Sequence, residues 1–164
     1  MNSEVNTSLI NHVKLTDRLT SHHNFLNTKG NMGEFLDLSY LEIHDFDFSN
    51  LRLNNVVAMG TTLLRCNFSQ TQMTEFQFES ARVVQCNFSE ALLLKAEWYE
   101  TTVEKGVFDQ TNLERAEFTS CTLIGLDLNN CNLQGASFSD CILNATTLEN
   151  LSERKIQVDG INRL

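Results

Sequence analysis

The most constraining feature of this sequence is an apolar residue at every fifth position from Leu38 to Leu148. All 23 positions in that series are apolar, although only 41% of the residues in the chain are hydrophobic. A period of five matches neither the 3.6 residues of a helical turn nor the two-residue alternation of a strand. We therefore expect a chain that turns a corner every five residues and directs one large apolar side chain of each five inward.

A second inward set lies two residues before the first and consists mostly of small residues. All five cysteines of the chain belong to it: Cys66, Cys86, Cys121, Cys131 and Cys141. Because Ala and Thr occupy the same position elsewhere, we interpret these cysteines as small apolar fillers with free thiols. A disulfide between Cys66 and Cys86, or between Cys121 and Cys141, is the alternative, since neighbouring strands about 4.8 Å apart are close enough for one.

Three segments carry both inward residues in a recognisable order: Cys66-Asn67-Phe68-Ser69-Gln70, Cys86-Asn87-Phe88-Ser89-Glu90 and Cys131-Asn132-Leu133-Gln134-Gly135. The pattern resembles the pentapeptide-repeat family, whose consensus is a small residue, Asn or Asp, Leu or Phe, and two polar residues. The resemblance implies an all-β solenoid, a right-handed quadrilateral β-helix of just under six 20-residue coils. We predict an N-terminal cap over residues 1–35, the β-helix over 36–150 and a C-terminal capping or dimerisation segment over 151–164.

Side chains 20 residues apart are expected to stack, and the large inward residues sort accordingly. Phe48, Phe68, Phe88 and Phe108 form one aromatic column, and a second column lies on the opposite side: Phe78, Trp98, Phe118 and Phe138. The two columns between them are aliphatic. We name the four sides after their first inward residue: the Leu38 face, the Ile43 face, the Phe48 face and the Leu53 face. The chain contains no proline, as expected where every coil needs its backbone N–H groups for its neighbours.

The two ends of the chain depart from the repeat. In residues 1–35 we expect a short helix and irregular chain that cover the first coil. Residues 151–164 lose the register at Glu153 and finish in apolar residues: Ile156, Val158, Ile161 and Leu164. In gyrase-interacting members of the resembled family such a segment closes the rod and forms a homodimer, which the resemblance implies here. A monomeric cap is the alternative.

Charge is distributed unevenly over the four faces. The net charge is −9, with 21 acidic against 12 basic residues, which argues against direct nucleic-acid binding. The Leu38 face carries Asp37, Glu79, Glu97, Glu100, Glu117 and Asp140, and the Phe48 face carries Asp47, Glu90, Asp109, Asp127 and Glu149. Neither face has a Lys or Arg. All six basic residues of the repeat region belong to the other two faces: Arg52, Arg65, Arg82, Lys95, Lys105 and Arg115.

The organised acidity has two interpretations. Charged surfaces usually serve solubility, but carboxylates on positive-free faces also resemble a phosphate backbone. The sequence thus favours a DNA mimic that binds DNA gyrase, a topoisomerase or another DNA-handling protein. The alternative is a protein-interaction scaffold or a secreted bacterial effector that uses an outward apolar patch, formed by Leu64, Val84, Ile124 and Ile142.

Other functional classes lack support in the sequence. No nucleophile, base and orienting group form a set, and no glycine-rich phosphate loop is present, so we expect no enzyme and no cofactor. His12, Asp17, His22 and His23 are of metal-binding types but lack a regular fourth ligand, so we expect no metal. No apolar run reaches the roughly 18 residues of a membrane span, and no secretory signal is visible. We therefore expect a cytoplasmic protein without a membrane partner.

Overall fold

A computed structural model describes residues 12–163 as a parallel β-solenoid of about six turns. Two helices flank and interrupt it: α1 (His12–Asn27) and α2 (Ala145–Glu153). The strands are short: β1 (Glu42–His44), β2 (Val57–Met59), β3 (Thr62–Leu64), β4 (Gln77–Glu79), β5 (Arg82–Val84), β6 (Glu97–Tyr99), β7 (Thr102–Glu104), β8 (Glu117–Thr119), β9 (Thr122–Ile124), β10 (Ser137–Ser139), β11 (Ile142–Leu143), β12 (Gln157–Asp159) and β13 (Asn162–Arg163). The all-β solenoid expected from the five-residue period is confirmed.

The strands form two parallel sheets on adjacent sides of the coil. The six-stranded sheet, in the order β12-β10-β8-β6-β4-β2, forms the Leu38 face, and the seven-stranded sheet β1-β3-β5-β7-β9-β11-β13 forms the Ile43 face. Each paired residue lies 20 positions along the chain from its partner, as Phe78 does from Trp98. The Phe48 and Leu53 faces are joined by isolated bridges with the same spacing, such as the bridge between Asn67 and Asn87. The predicted 20-residue coil is therefore present.

The corners of the coil are made by residues in the left-handed backbone region. Gln70, Gln85 and Glu90, for example, have φ angles of 58°, 53° and 58°. An L-residue tolerates this conformation at a cost of about 1–2 kcal/mol, which a solenoid incurs at one corner after another. The corner side chains point into solvent, so the fifth residue of each repeat has no packing requirement. Most of these residues are polar.

The core consists of the predicted side-chain columns. On the Phe48 side, Phe48 stacks on Phe68 with ring centroids 4.5 Å apart, and Phe68 stacks on Phe88 at 5.0 Å. On the Leu38 side, Phe78 and Trp98 stack at 3.9 Å. The two columns also meet edge to face, as Phe88 and Trp98 do at 6.0 Å. Offset and edge-to-face rings each add about 0.5–1.5 kcal/mol to the energy of burial, so aromatic contacts bind successive coils to one another.

Where the small inward residue is threonine or cysteine, its side chain also donates a hydrogen bond. Thr61 Oγ1 donates to the carbonyl of Leu38 at 2.8 Å, and Thr111 Oγ1 donates to that of Phe88 at 2.7 Å. The five cysteine thiols make the equivalent contact, each with the carbonyl 23 residues earlier. All five are buried and free. Cysteine and threonine are therefore interchangeable here because each supplies a small side chain with one hydrogen-bond donor.

The C-terminal end differs from the sequence expectation in where the regular coil stops. Helix α2 begins at Ala145, before the predicted break at Glu153, and so contains Leu148. Thr147 of α2 and Arg154, the residue that follows the helix, supply side-chain donors in place of the lost strand N–H groups. Thr147 Oγ1 donates to the carbonyl of Leu126 at 3.1 Å. Arg154 donates to the carbonyls of Leu128 and Cys131 at 2.8 and 2.6 Å.

After α2 the chain resumes the solenoid register. Val158 pairs with Phe138 in the six-stranded sheet, and Asn162 pairs with Ile142 in the seven-stranded sheet. Both pairs keep the spacing of 20 residues, because α2 and the turn after it replace two five-residue sides of the coil, the Phe48 and Leu53 sides. The predicted segment 151–164 is thus partly a further turn of the solenoid.

Helix α1 packs against the first coil. Leu15 is completely buried, and the Arg18 guanidinium donates to the carbonyl of Asp37. Arg52 of the first coil donates to Asn27 at the end of the helix, at 3.1 Å. These contacts provide hydrogen-bond partners for part of the backbone at the open side of the first coil. They also bury part of the apolar surface that is exposed there.

Candidate functional site

All eleven carboxylates of the two acidic faces are exposed to solvent. On the Leu38 face, Glu79, Glu97 and Glu117 lie on the neighbouring strands β4, β6 and β8. Glu97 and Glu117 occupy directly opposed register positions, and Glu97 faces Gln77 on its other side. The six-stranded sheet thus holds the carboxylates in a fixed array with the spacing of about 4.8 Å between paired strands.

Among the described residues, the ion pairs lie on the other two faces. Within residues 12–163, five pairs of oppositely charged or titratable side chains approach within 4 Å: His44–Glu42, Arg65–Asp45, Arg82–Glu104, Lys95–Glu75 and Arg115–Glu114. The first three belong to the Ile43 face and the last two to the Leu53 face. In the described part of the chain, none of the eleven carboxylates predicted to bind a partner forms such a pair.

The carboxylates of the Phe48 face are engaged by the coil itself. Asp47 accepts hydrogen bonds from the backbone N–H of Ser49 at 3.0 Å and from the Asn67 amide at 2.9 Å. These bonds hold the pKa of Asp47 below its usual value. Asp127, Asp109 and Glu90 likewise accept bonds from Asn129 N–H (2.9 Å), Asn130 (2.8 Å) and Gln70 (3.0 Å). Much of the acidity on this face therefore has a structural role in the turns and between coils.

The carboxylates in the middle of the Leu38 face have weaker internal partners. The Gln77 amide reaches Glu97 at 3.4 Å, and the Ser80 hydroxyl reaches Glu100 at 3.4 Å. At the N-terminal end of the face Asp37 accepts the Ser39 N–H at 2.7 Å, so it resembles the turn-forming Asp47. The central glutamates thus keep most of their acceptor capacity for solvent or for a partner.

An exposed aromatic ring lies among these glutamates. Tyr99 on β6 is 45% exposed, and its direct sheet neighbours are Glu79 and Thr119. A hydrogen bond to Glu100 and the charges of Glu100 and Glu79 raise the pKa of the Tyr99 phenol. A surface depression of about 390 Å³ surrounds it, lined by Gln77, Glu79, Glu97, Tyr99, Glu117 and Thr119 among others. A ring face bordered by carboxylates is suited to a guanidinium or ammonium group.

The structure adds two residues to the face that the sequence analysis did not select. Tyr99 was missed because only charge was considered when the faces were compared. Asp159 was missed because the register was taken to end before it, whereas β12 places it beside Ser139 in the same sheet. Continuing the five-residue step from Leu148 through Glu153 leads to Val158, and this step was the signal for β12. Asp140 lies at the corner of the preceding coil, against Gly160.

The predicted apolar patch is less continuous than its sequence spacing indicates. Leu64 and Val84 are direct partners in the seven-stranded sheet, but Val84 is only 9% exposed. Glu104 separates Val84 from Ile124, because it lies between them in the same outward row. Ile142 belongs to the other outward row, beside Thr122. The four residues therefore do not form one exposed surface.

The residues predicted for dimerisation lie on the last turn. Ile156, Val158 and Ile161 are partly buried against the core, and β12 and β13 are the last strands of their sheets. Leu164 lies outside the described residues. The described residues thus place three half-exposed apolar side chains next to unpaired strand edges.

Other reactive groups are buried or dispersed. Burial raises the pKa of Cys131 to about 12, and hydrogen bonding to a stacked cysteine together with burial raises the pKa of Cys86 and Cys121. No group of three His, Cys, Asp or Glu side chains in the described residues is arranged to hold a metal ion. Among those residues, no helix has the length and apolarity required to span a bilayer.

The fold and its faces define a class of protein: a β-solenoid built from five-residue repeats, with acidic and mixed-charge sides in alternation. Residues 111–150 match the family model described as pentapeptide repeats, in 8 copies. This part of the chain is pentapeptide-repeat sequence, in agreement with the resemblance drawn from the residues. No curated protein matches it.

Three solved structures are similar to this chain: HetL, QnrB1 and Rfr23. HetL of Nostoc sp. strain PCC 7120, involved in heterocyst differentiation regulation, is 19% identical over 77% of this chain and 72% of its own, with a TM-score of 0.41. Full-length QnrB1, a plasmid-mediated fluoroquinolone resistance protein, is 14% identical over 78% and 84%, with a TM-score of 0.38. Rfr23 of the cyanobacterium Cyanothece 51142 is 17% identical over 89% and 95%, with a TM-score of 0.36.

Proposed function

We propose that this chain is a non-enzymatic, cytoplasmic binding protein whose Leu38 face binds the cationic surface of a protein partner. The partner class is a DNA-handling protein, such as DNA gyrase or another topoisomerase, whose DNA-binding groove accepts carboxylates in place of phosphates. The chain itself does not bind nucleic acid, because its net charge of −9 repels it.

The observation that carries the proposal is the separation of paired from unpaired charge. Every ion pair among the described residues lies on the Ile43 or Leu53 face. If acidity served solubility alone, the cations of the repeat region would have no reason to be excluded from two opposite faces. The Phe48 carboxylates are engaged in turns, so the Leu38 face presents the freest acceptors.

The arrangement on the Leu38 face costs stability in the absence of a partner. Glu97 and Glu117 are direct cross-strand neighbours, and like charges at opposed positions destabilise a sheet by a few tenths to about 1 kcal/mol. An arginine from a partner relieves this repulsion. Its guanidinium forms charge-assisted bonds to the carboxylates and packs on the Tyr99 ring. The strain between the two glutamates is thus consistent with a binding role.

The size of the solenoid determines how much of a DNA groove it mimics. About six coils at roughly 4.8 Å give a rod of about 28 Å, a length over which duplex DNA carries roughly 16 charges. The two acidic faces bring eleven carboxylates to that length, so their charge density is comparable with that of DNA. A homodimer through Ile156, Val158 and Ile161 doubles the reach, and we include this tail-to-tail dimer in the proposal.

A supercoiling assay with purified gyrase tests the proposal. We expect the wild-type protein to inhibit supercoiling, or to protect gyrase from a quinolone, at micromolar concentration. The variant Glu79→Gln, Glu97→Gln, Glu117→Gln removes three charges from the Leu38 face. At 0.2–1 kcal/mol for each exposed pair, we expect about a tenfold loss of potency. The effect of wild-type protein should also weaken steeply as salt is raised.

The matched control removes three charges from the other acidic face: Glu90→Gln, Asp109→Asn and Glu149→Gln. We expect it to keep most of its potency. Thermal unfolding of both variants provides a second readout, because loss of the Glu97–Glu117 repulsion should leave the Leu38-face variant at least as stable as wild type. Equal potency of the two variants contradicts the assignment of the face. No effect of wild-type protein on gyrase refutes gyrase as the partner.

A further inference from the structure

His22 is a buried titratable residue with no part in the acidic face. Its side chain is 1% exposed and lies between α1 and the chain that enters the first coil. The Leu36 backbone N–H donates to its Nδ1 at 3.1 Å, and the Phe35 ring meets it edge to face at 5.4 Å. Its Nε2 is buried without a hydrogen-bond partner among the described residues. The imidazole therefore connects the helix to the start of the solenoid through one specific bond.

The direction of that bond fixes the charge of the ring. Nδ1 accepts a hydrogen bond only through its lone pair, so the ring is neutral and carries its proton on Nε2. A second proton must bind to Nδ1, and the new Nδ1–H group then points at the backbone N–H of Leu36. Two donors then face each other, and the ring becomes a buried cation with no acceptor among the described residues at either nitrogen.

The surroundings also disfavour a positive charge. Burial lowers the pKa of His22, and the neighbouring charges of Arg52 and His23 lower it further. The charged and titratable groups of the elements packed around the ring include Lys14, Asp17, Arg18 and His23 of α1, Glu34 of the entering segment, and Asp37 and Arg52 of the first coil. The three carboxylates in this set are exposed to solvent, so they do not replace the missing acceptor inside the contact.

We infer that the contact between α1 and the first coil is an acid-sensitive latch, in which protonation of His22 releases the helix from Leu36. The other attachments of the helix, such as the buried Leu15 and the Arg18 bond to the Asp37 carbonyl, do not involve a histidine. Release exposes Leu36 and the apolar interior at the N-terminal end of the solenoid. The rest of the solenoid keeps its coil-to-coil bonds, because its histidine-free core has nothing to titrate in this range.

Linkage gives the size and sign of the effect. When the helix is released, His22 titrates near its ordinary value of 6.5, whereas the docked ring resists protonation. The folded pKa is lowered, so the contact is fully stable above pH 6.5 and loses stability as the pH falls below it. The equilibrium constant for opening should rise about tenfold between pH 7.5 and pH 5.5.

Amide hydrogen exchange at several pH values tests the latch, with each rate corrected for the intrinsic pH dependence of exchange. In wild-type protein we expect the Leu36 amide and the amides of α1 to lose about tenfold in protection from pH 7.5 to 5.5. Amides in the middle of the solenoid, such as that of Val83, should stay unchanged. His22→Asn places a non-titrating acceptor near the Nδ1 position, and its protection should not depend on pH. His23→Asn is the matched control at the adjacent exposed histidine; it removes only a lesser cause of the lowered pKa of His22, so it should keep the acid response.

Three results overturn the inference: wild-type protection that is constant across the range, a His22→Asn variant that retains the acid response, or a loss that extends to Val83 and therefore reports global unfolding. If His22→Asn does not fold, the wild-type protein still decides the question. The ring of His22, followed by NMR, must then take up its proton with the same midpoint as release of the helix in half of the molecules, at a pH below 6.5. Different midpoints refute the latch, and coincident midpoints support it.

Discussion

Replacing Phe88 by alanine tests whether stacked rings hold the coils together. Phe88 is completely buried between Phe68 and Phe108, each 5.0 Å away, and meets Phe78 and Trp98 edge to face at 6.4 and 6.0 Å. Removing a buried phenylalanine side chain costs about 3–5 kcal/mol through lost burial and the cavity that remains. Because the closed coils above and below resist collapse, we expect the upper part of that range.

The matched variant Phe88→Leu keeps most of the side-chain volume. Leucine already occurs in this column, at Leu128, two coils further along the chain. We expect it to lose only about 1–1.5 kcal/mol, chiefly the contribution of ring stacking. Urea unfolding followed by far-UV circular dichroism measures both, with the shift in midpoint at an unchanged m-value giving the change in free energy. If the two variants lose equal stability to within about 0.5 kcal/mol, ring packing and cavity formation do not explain the core.

Three further predictions concern the end, the corners and the thiols. Arg154→Met should lower the free energy of unfolding by about 2–3 kcal/mol, because two carbonyls lose their charged donor; Arg163→Met, at an exposed position, should change it by less than about 0.5 kcal/mol. Gln85→Val should cost about 1–2 kcal/mol in chemical denaturation, because a β-branched residue opposes a φ of 53°, whereas Gln72→Val, at an exposed outward bridge position, should be nearly neutral. Ellman's reagent should label none of the five thiols in native protein within minutes and all of them in urea, since all are buried; rapid native labelling of any thiol contradicts the packing described above.

Much of the architecture was predictable because it depends on a local rule repeated many times. Each five residues require one inward apolar side chain, and every position of the series from Leu38 to α2 is apolar, although Ala58 is small. The stacking of Phe68 on Phe88 followed from a spacing of 20 residues. The break at α2 was misplaced because Leu148 satisfies the five-residue pattern and also fits the partly buried side of a helix.

The candidate site was predictable only in part. Sequence spacing assigned the acidic residues to faces, but it gave no information on which carboxylates are already bonded. Asp47 and Glu97 are both outward acidic residues, yet Asp47 closes a turn and Glu97 lies beside another glutamate. The difference depends on the residues at the neighbouring positions of the same and adjacent coils, and on whether the face forms bridges or strands.

The sequence by itself determined the coil, its period and the composition of its core, because these arise from the burial of regularly spaced apolar side chains. Only the tertiary structure decided which charges are paired, where the register resumes after α2, and that His22 is enclosed by helix and coil. Two of the charge pairs and the resumed register keep the 20-residue spacing but depend on which side chains meet there, whereas His22 meets Leu36 across a separation that follows no repeat. Hydrogen-bond direction and solvent exclusion, which no residue pattern specifies, give the same side-chain types different roles at different places in the solenoid.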